Sequence, residues 1–311
     1  MILGLDIGGT RVKAAVVSRE GEIVTAERIP TPTGFESLQQ GVCAMLERLI
    51  AQTGFVELGI ACKGIINPLT TRVEVLPGSL NYLEGHLLAD LVRPALPADA
   101  SVAADNDARV ALAGERAWGA ARDRRNALML TLGTGIGGGI LADGRILRGA
   151  TGVAGHIGHL TIEPDGLPCM CGNLGCLETV FSARALEGEA QAALHRGVET
   201  ALRAIDGTPP TCADVFECAR RGDRVASRIL QTAIRKLAAG VAGLVHVFDP
   251  EVLIFGGQIV EAGDSLLVPL QSQIAERTRL LLRRDVPVMR SQLSDPSGVI
   301  GAAALVMQLN V

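Results

Sequence analysis

Twice along this chain an apolar strand runs into a glycine-rich tip and returns at once as a second apolar strand. The first copy is Met1 to Ile7, the tip Gly8-Gly9-Thr10, then Val12 to Val17. The second is Ala127 to Leu132, the turn Gly133-Thr134-Gly135-Ile136-Gly137-Gly138-Gly139, then a strand opening at Ile140. A duplicated unit of this kind predicts two similar α/β halves that face one nucleotide. Adjacent glycines leave backbone N–H groups open to an anion, and Thr10 adds a hydroxyl. Asp6 is placed to hold a metal ion beside that anion. Gly-Gly alone would read as an ordinary hairpin tip; with the aspartate before and the threonine after, the two readings stand level. A P-loop is excluded, because no Gly-Lys-Ser/Thr follows, and a Rossmann turn is disfavoured, because a strand rather than a helix follows the glycines.

A second stretch, residues 155 to 178, constrains the local chemistry. It holds Gly155-His156-Ile157-Gly158-His159 and then Cys169-Met170-Cys171-Gly172-Asn173-Leu174-Gly175-Cys176-Leu177-Glu178. Zinc takes thiolate and imidazole ligands in a tetrahedron, and a Cys3His set fills it without leaving room for water. His159, Cys169, Cys171 and Cys176 supply that set, and Gly172 and Gly175 allow the tight turns that return Cys176 to the same ion. Three reduced core thiols would be the bland alternative, but cysteines flanked by glycine and proline do not look like core. A disulfide would leave the histidine unexplained.

The other elements follow from periodicity. Ile23 to Ile29 is a third strand, joined to the second by the turn Ser18 to Glu22. Leu38, Val42, Met45, Leu46 and Leu49 give helical spacing over 35–53. Strands are predicted at Val56 to Cys62, Val102 to Ala104, Val252 to Phe255 and Val286 to Met289. Helices are predicted at Leu87 to Leu91, from Asp107 to about Trp118, over Ala226 to Phe248, over 264–282, and from Gly298 to Leu309. Asp105-Asn106-Asp107 sits at a strand-to-helix junction, where open α/β sheets bind ligands; helix N-capping would need only one of the three. Gly256-Gly257 ends a buried strand and could let a flat base or ribose approach the backbone. Ala120 to Arg125 marks a domain boundary.

Composition narrows the classes. Of 311 residues 48 % are hydrophobic and the net charge is only -4, so a large core is available and nucleic acid is not an expected partner. No apolar run reaches membrane-spanning length. The seven cysteines, an odd number, fit reduced thiols in a cytoplasmic protein.

Four motifs in order resemble the ROK family (repressor, open reading frame, kinase) of the actin-like ATPase and hexokinase superfamily. They are Asp6-Ile7-Gly8-Gly9-Thr10, Asn106-Asp107-Ala108, Leu132-Gly133-Thr134-Gly135-Ile136-Gly137-Gly138-Gly139, and the Gly-x-x-Gly-His then Cys-x-Cys-Gly-x-x-Gly-Cys-x-Glu loop. The resemblance implies a two-domain α/β actin-like ATPase fold with a structural zinc loop and a sugar and ATP cleft between the domains. Residues 1–118 form the first domain, rejoined by the closing helix 297–311, and 119–296 the second, with the zinc loop 155–178. It implies phosphorylation of a hexose or N-acylhexosamine by ATP, most simply at the 6-hydroxyl. Asp107 matches the family's base, Asn106 a sugar-hydroxyl ligand, and His159 and Glu178 positions that also touch the sugar. Gly8, Gly9, Thr10, Gly133, Thr134, Gly135, Gly137 and Gly138 would lie along the phosphates, Gly256 and Gly257 beside adenosine, and Mg2+ near Asp6. A homodimer or homotetramer is the family expectation.

The chain departs from the family's commoner pattern at several places. His156 stands where most members have a sugar-binding glutamate, as it does in bacterial N-acetylmannosamine kinases of the family. Ser79 replaces an asparagine at a sugar contact, Asp105 a glutamate, and Gln258 a third glycine near adenosine. Sugar-responsive repressors of the family carry a helix-turn-helix ahead of the first strand. Here the first strand begins at residue 2, so a repressor is not expected. A catalytically inactive sugar-sensing regulator is the remaining alternative from another class.

Overall fold

The computed structural model describes residues 1–53, 57–204, 208–293 and 297–307. Along the chain come β1 (Ile2–Ile7), β2 (Arg11–Val17), β3 (Ile23–Pro30), α1 (Phe35–Thr53), β4 (Glu57–Cys62), β5 (Ile65–Ile66), β6 (Val73–Val75), α2 (Leu88–Val92), β7 (Ser101–Asn106) and α3 (Asp107–Trp118). Then follow β8 (Ala127–Leu132), β9 (Ile136–Ala142), β10 (Arg145–Ile146), α4 (Leu177–Val180), α5 (Ala183–His195), α6 (Cys212–Arg220), α7 (Arg224–Phe248), β11 (Val252–Gly256), α8 (Asp264–Leu282), β12 (Val288–Arg290) and α9 (Ser297–Met307). Val56 of the predicted fourth strand, and 308–309 of the predicted closing helix, lie outside the described residues. Among the described residues no helix is long and apolar enough to cross a membrane.

Two five-stranded sheets repeat one order, β3-β2-β1-β4-β7 and β10-β9-β8-β11-β12. In the first, β1 pairs antiparallel with β2 and parallel with β4, and β4 pairs parallel with β7. In the second, β11 is parallel to both β8 and β12. The chain separates into two compact units, one of residues 1–125, 139–155 and 291–311, the other of 126–138 and 156–290. The strand β9 passes from one unit to the other between Gly138 and Gly139.

In the first unit the core lies on both faces of the sheet. The predicted stripe of α1, Leu38, Val42, Met45, Leu46 and Leu49, is fully buried against Leu3, Leu5, Leu58 and Ile60. On the other face α9 packs Val299, Ala303 and Val306 against Ile2, Ala15 and Val17. Its small residues let it approach the strands at backbone distance. A Cβ on Gly4 of β1 would stand 1.8 Å from the Val299 carbonyl oxygen, and one on Gly59 of β4 would stand 1.7 Å from that of Ala302.

In the second unit α7 is a 25-residue helix with a wide apolar face, capped by the Asp223 side chain, which accepts from the Ala226 N–H at 2.8 Å. Two details differ from the sequence reading. The glycine run after β8 turns only over 133–135, and Gly137 and Gly138 already lie in β9. The loop after β4 contains a short antiparallel ribbon, β5 with β6.

Candidate active site

The register of the first sheet decides where the first unit's polar groups gather. Asp6 pairs with Ala61 and Ala61 with Asp105, while Ile7, Cys62 and Asn106 form the next row. Three neighbouring parallel strands therefore end together, and their carboxyl ends carry Asp6, Cys62, Asn106 and Asp107, the side on which open α/β sheets bind ligands. Cys62 reports the charge there. Its thiol is pushed well above the ordinary range, first by burial and then by the negative charges of Asp107 and Asp6, while Lys63 acts the other way.

Three adjacent residues at the end of β7 have three different fates. Asp105 is fully buried, and Arg109 and Arg148 hold its carboxylate. Asn106 caps α3: its Oδ1 accepts from Ala108 N–H at 3.0 Å and Arg109 N–H at 3.4 Å, and its Nδ2 donates to the Gly64 carbonyl at 2.9 Å. Asp107, the first residue of α3, stays exposed, and its Oδ1 accepts from Ala108 N–H at 2.9 Å. The capping reading of this cluster is realised by Asn106, which leaves the Asp107 side chain exposed at the start of α3.

The tip Gly8-Gly9-Thr10 is held from behind. Thr31 donates its hydroxyl to the Gly8 carbonyl at 2.7 Å and its N–H to the Thr10 carbonyl at 3.0 Å. Gly9 and Thr10 are exposed, and Gly9 faces Ser79, whose Oγ would be 3.0 Å from a Cβ placed there. Asp6 lies against the first turn of α9, where a Cβ on Gly298 would stand 2.5 Å from its Oδ2. Lys63, which the sequence reading passed over, is half-buried at the end of β4, with its ammonium 3.5 Å from the Cβ position of Gly78. Its place directly after a buried strand was the available signal.

The second unit carries the remaining candidates. Gly133 donates its N–H to the Gly135 carbonyl at 3.0 Å, and its own carbonyl accepts from Ala183 N–H at 2.9 Å. A Cβ on Gly133 would meet nothing within 4 Å, so the turn has an open face, and Thr134 is exposed on it. Gly257 has φ +87°, and a Cβ there would stand 2.4 Å from the Leu132 carbonyl oxygen. That contact alone demands glycine, and it leads from Gly256 at the end of β11 to the end of β8.

The Cys/His loop closes as its spacing predicts. Ligand atoms of His159, Cys169, Cys171 and Cys176 all lie within 4.8 Å of one another. Cys169 Sγ is 3.5 Å from His159 Nδ1, and Cys171 Sγ is 3.6 Å from Cys176 Sγ. A tetrahedral zinc with its usual bond lengths would set S···S at roughly 3.75 Å and S···N at roughly 3.55 Å, so these two pairs match that ion and the set could hold it. Burial pushes the Cys171 thiol up, but the Asn173 N–H and the thiols of Cys169 and Cys176 outweigh it and hold it below the ordinary range. Glu178 stands beside the cluster, with Oε1 3.1 Å from Cys169 Sγ and Oε2 2.7 Å from the Cβ position of Gly135. The ring of His156 runs nearly parallel to that of His159, with centroids 6.3 Å apart.

Comparison with known proteins agrees with this assembly. The ROK family model matches residues 2–309. The glucokinase of Streptomyces coelicolor is 34 % identical over 315 residues, covering 98 % of this chain and 97 % of that protein. The DNA-binding transcriptional dual regulator NagC of Escherichia coli is 28 % identical over 313 residues, covering 98 % of this chain and 74 % of that protein. Among solved structures, a ROK family glucokinase from Streptomyces griseus in complex with glucose and AMPPNP shares 33 % identity, with TM-score 0.81 and 99 % of both chains covered. The repeated sheet order, the Cys3His loop and a match that runs almost from end to end lead to one conclusion: the chain belongs to the ROK family.

Proposed function

We propose that the protein is a sugar kinase that transfers the terminal phosphoryl group of ATP to the 6-hydroxyl of a hexose or N-acylhexosamine. The observation that carries this reading is Asp107, an exposed carboxylate at the first position of α3, on the same carboxyl-end edge as Asp6 and in the same unit as the exposed Gly9 and Thr10. A sugar hydroxyl is a weak nucleophile, so a carboxylate that accepts its proton speeds attack on phosphorus. Little other covalent work falls to the protein in phosphoryl transfer, where positioning and charge stabilisation dominate. The N–H groups at Gly9 and Thr10 and at Thr134 and Gly135 would supply donors for phosphate oxygens, with Gly133 closing that turn, and Gly137 and Gly138 continue that line into β9. Gly256 and Gly257 border adenosine. Magnesium, which Asp6 would hold, neutralises phosphate charge when ATP is bound.

Ser79, Asn106, His156, His159 and Glu178 are assigned to the sugar. The Cys3His set holds zinc in a structural role and keeps Glu178 and both histidines in one loop. A cytoplasmic dimer or tetramer completes the reading. His156 supports a second acceptor, N-acetylmannosamine, because a neutral imidazole offers one donor and one acceptor and cannot accept hydrogen bonds from two sugar hydroxyls as a carboxylate does. A non-catalytic sugar sensor is the competing class, given kinship with NagC. The test is ADP release measured over glucose, mannose, fructose, allose, N-acetylglucosamine and N-acetylmannosamine. Turnover on at least one supports the kinase, while sugar binding with no turnover on any points to the sensor.

A further inference from the structure

Among the described residues Arg109 is the largest fully buried side chain, which is unusual for a charged group. A buried guanidinium is retained only where its donors are used. Its Nε donates to Asp105 Oδ1 at 2.7 Å, and its Nη1 to two backbone carbonyls, Gly152 at 2.7 Å and Ala154 at 2.8 Å. Its Nη2 sits 2.6 Å from the same Asp105 oxygen without the geometry of a further hydrogen bond. Asp105 is equally committed, with Oδ1 also accepting from Asn106 N–H at 2.8 Å and Oδ2 accepting from Arg148 Nε at 2.9 Å. The loop closes on itself as well, because Ala154 N–H donates to the Arg148 carbonyl at 3.3 Å.

These bonds join two places that matter to the proposed reaction. One is the end of β7 and the first turn of α3, which present Asn106 and Asp107. The other is the segment 148–154, the last part of the first unit before the chain passes at 155/156 into the second, where His156 is the next residue. The same helix repeats the device with Glu115, also fully buried, which accepts from Ala120 N–H at 2.7 Å, Ser291 Oγ at 2.6 Å and Leu293 N–H at 2.9 Å. Residue 291 is where the chain returns to the first unit.

We propose that Arg109 is a positioning residue: with Asp105 and Arg148 it locks the loop 148–154 onto the helix turn that carries Asn106 and Asp107. The expected consequence rests on the kinase reading, because it concerns the sugar site and spares the glycine turns assigned to phosphate. Misplacement of a binding group by about 1 Å costs up to about a hundredfold. Arg109→Met should therefore raise the sugar KM by at least about tenfold and leave the ATP KM within about twofold. Arg109→Lys, which keeps the charge and one donor, should fall between.

A second readout needs no activity. Hydrogen–deuterium exchange of the Ala154 amide should quicken by about tenfold or more in Arg109→Met, while amides of α5 in the second unit stay unchanged. Arg148→Gln, which removes only the partly exposed partner, serves if the first variant does not fold, and should quicken the same amide. Unchanged Ala154 exchange in a folded variant overturns the proposal, and so does an equal rise of both KM values. If the wild-type protein turns over no sugar, the kinase reading fails, and the exchange result still decides the role of Arg109.

Discussion

Among the described glycines of the first unit, those facing α9 leave the least room, and Gly59→Ala probes that approach with one added methyl group. The new Cβ would stand 1.7 Å from the Ala302 carbonyl oxygen. Restoring an ordinary contact of roughly 3.5 Å requires the helix to retreat by about 1.5–2 Å. Overpacking a well-filled core costs about 1–3 kcal/mol, and more where the obstacle is backbone that no rotamer change can relieve. We expect about 3 kcal/mol or more for Gly59→Ala, which corresponds to a fall in Tm of roughly 4–5 °C or more for a chain of this size. Gly4→Ala pushes the same helix in the same direction, against the Val299 carbonyl at 1.8 Å. The double variant should therefore cost less than the sum of the two, since one retreat relieves both contacts. The control is Gly243→Ala in α7, where a Cβ meets nothing within 4 Å. There the helix gains about 0.5–1 kcal/mol from the change. Urea and thermal unfolding followed by circular dichroism measure all four. A cost below about 0.5 kcal/mol for Gly59→Ala, or strict additivity with Gly4→Ala, would refute the packing argument.

Two further outcomes follow from the second unit. Protein purified without added metal should carry about one zinc per chain by elemental analysis, and Cys171→Ser should lower zinc content and Tm together; because zinc needs deprotonated thiols, its retention should weaken as pH falls. His156→Glu should shift the kcat/KM ratio of glucose to N-acetylmannosamine towards glucose by about tenfold, the scale of one hydrogen bond, and an unchanged ratio with both activities intact would show that residue 156 does not set acceptor choice.

Much of the frame could be read from local pattern. The α1 stripe, the first strand–tip–strand unit and the Cys/His loop each write their period or spacing into a short window, and each lies where the pattern puts it. The thin face of the closing helix was also legible in Gly301-Ala302-Ala303-Ala304, although its partners Gly4 and Gly59 were not, since isolated strand glycines do not name what approaches them. The glycine run after β8 misled for a related reason. Gly139 is in a strand because Leu112 of α3 packs 3.0 Å from its Cβ position, a tertiary demand that resembles a turn in sequence. The Asp105–Arg109–Arg148 cluster was invisible because its members lie up to 43 residues apart and an arginine on a helix reads as solvent-facing. The β5–β6 ribbon was missed because two residues of β5 show no period.

The account's central claim is that Asp107 acts as the base of a phosphoryl transfer. The most direct measurement compares wild-type and Asp107→Asn proteins in ADP release with the best sugar, alongside calorimetric binding of that sugar. The account predicts a folded variant that binds the sugar within a few-fold of wild type and turns it over roughly two to four powers of ten more slowly. Turnover near wild type in Asp107→Asn would contradict it.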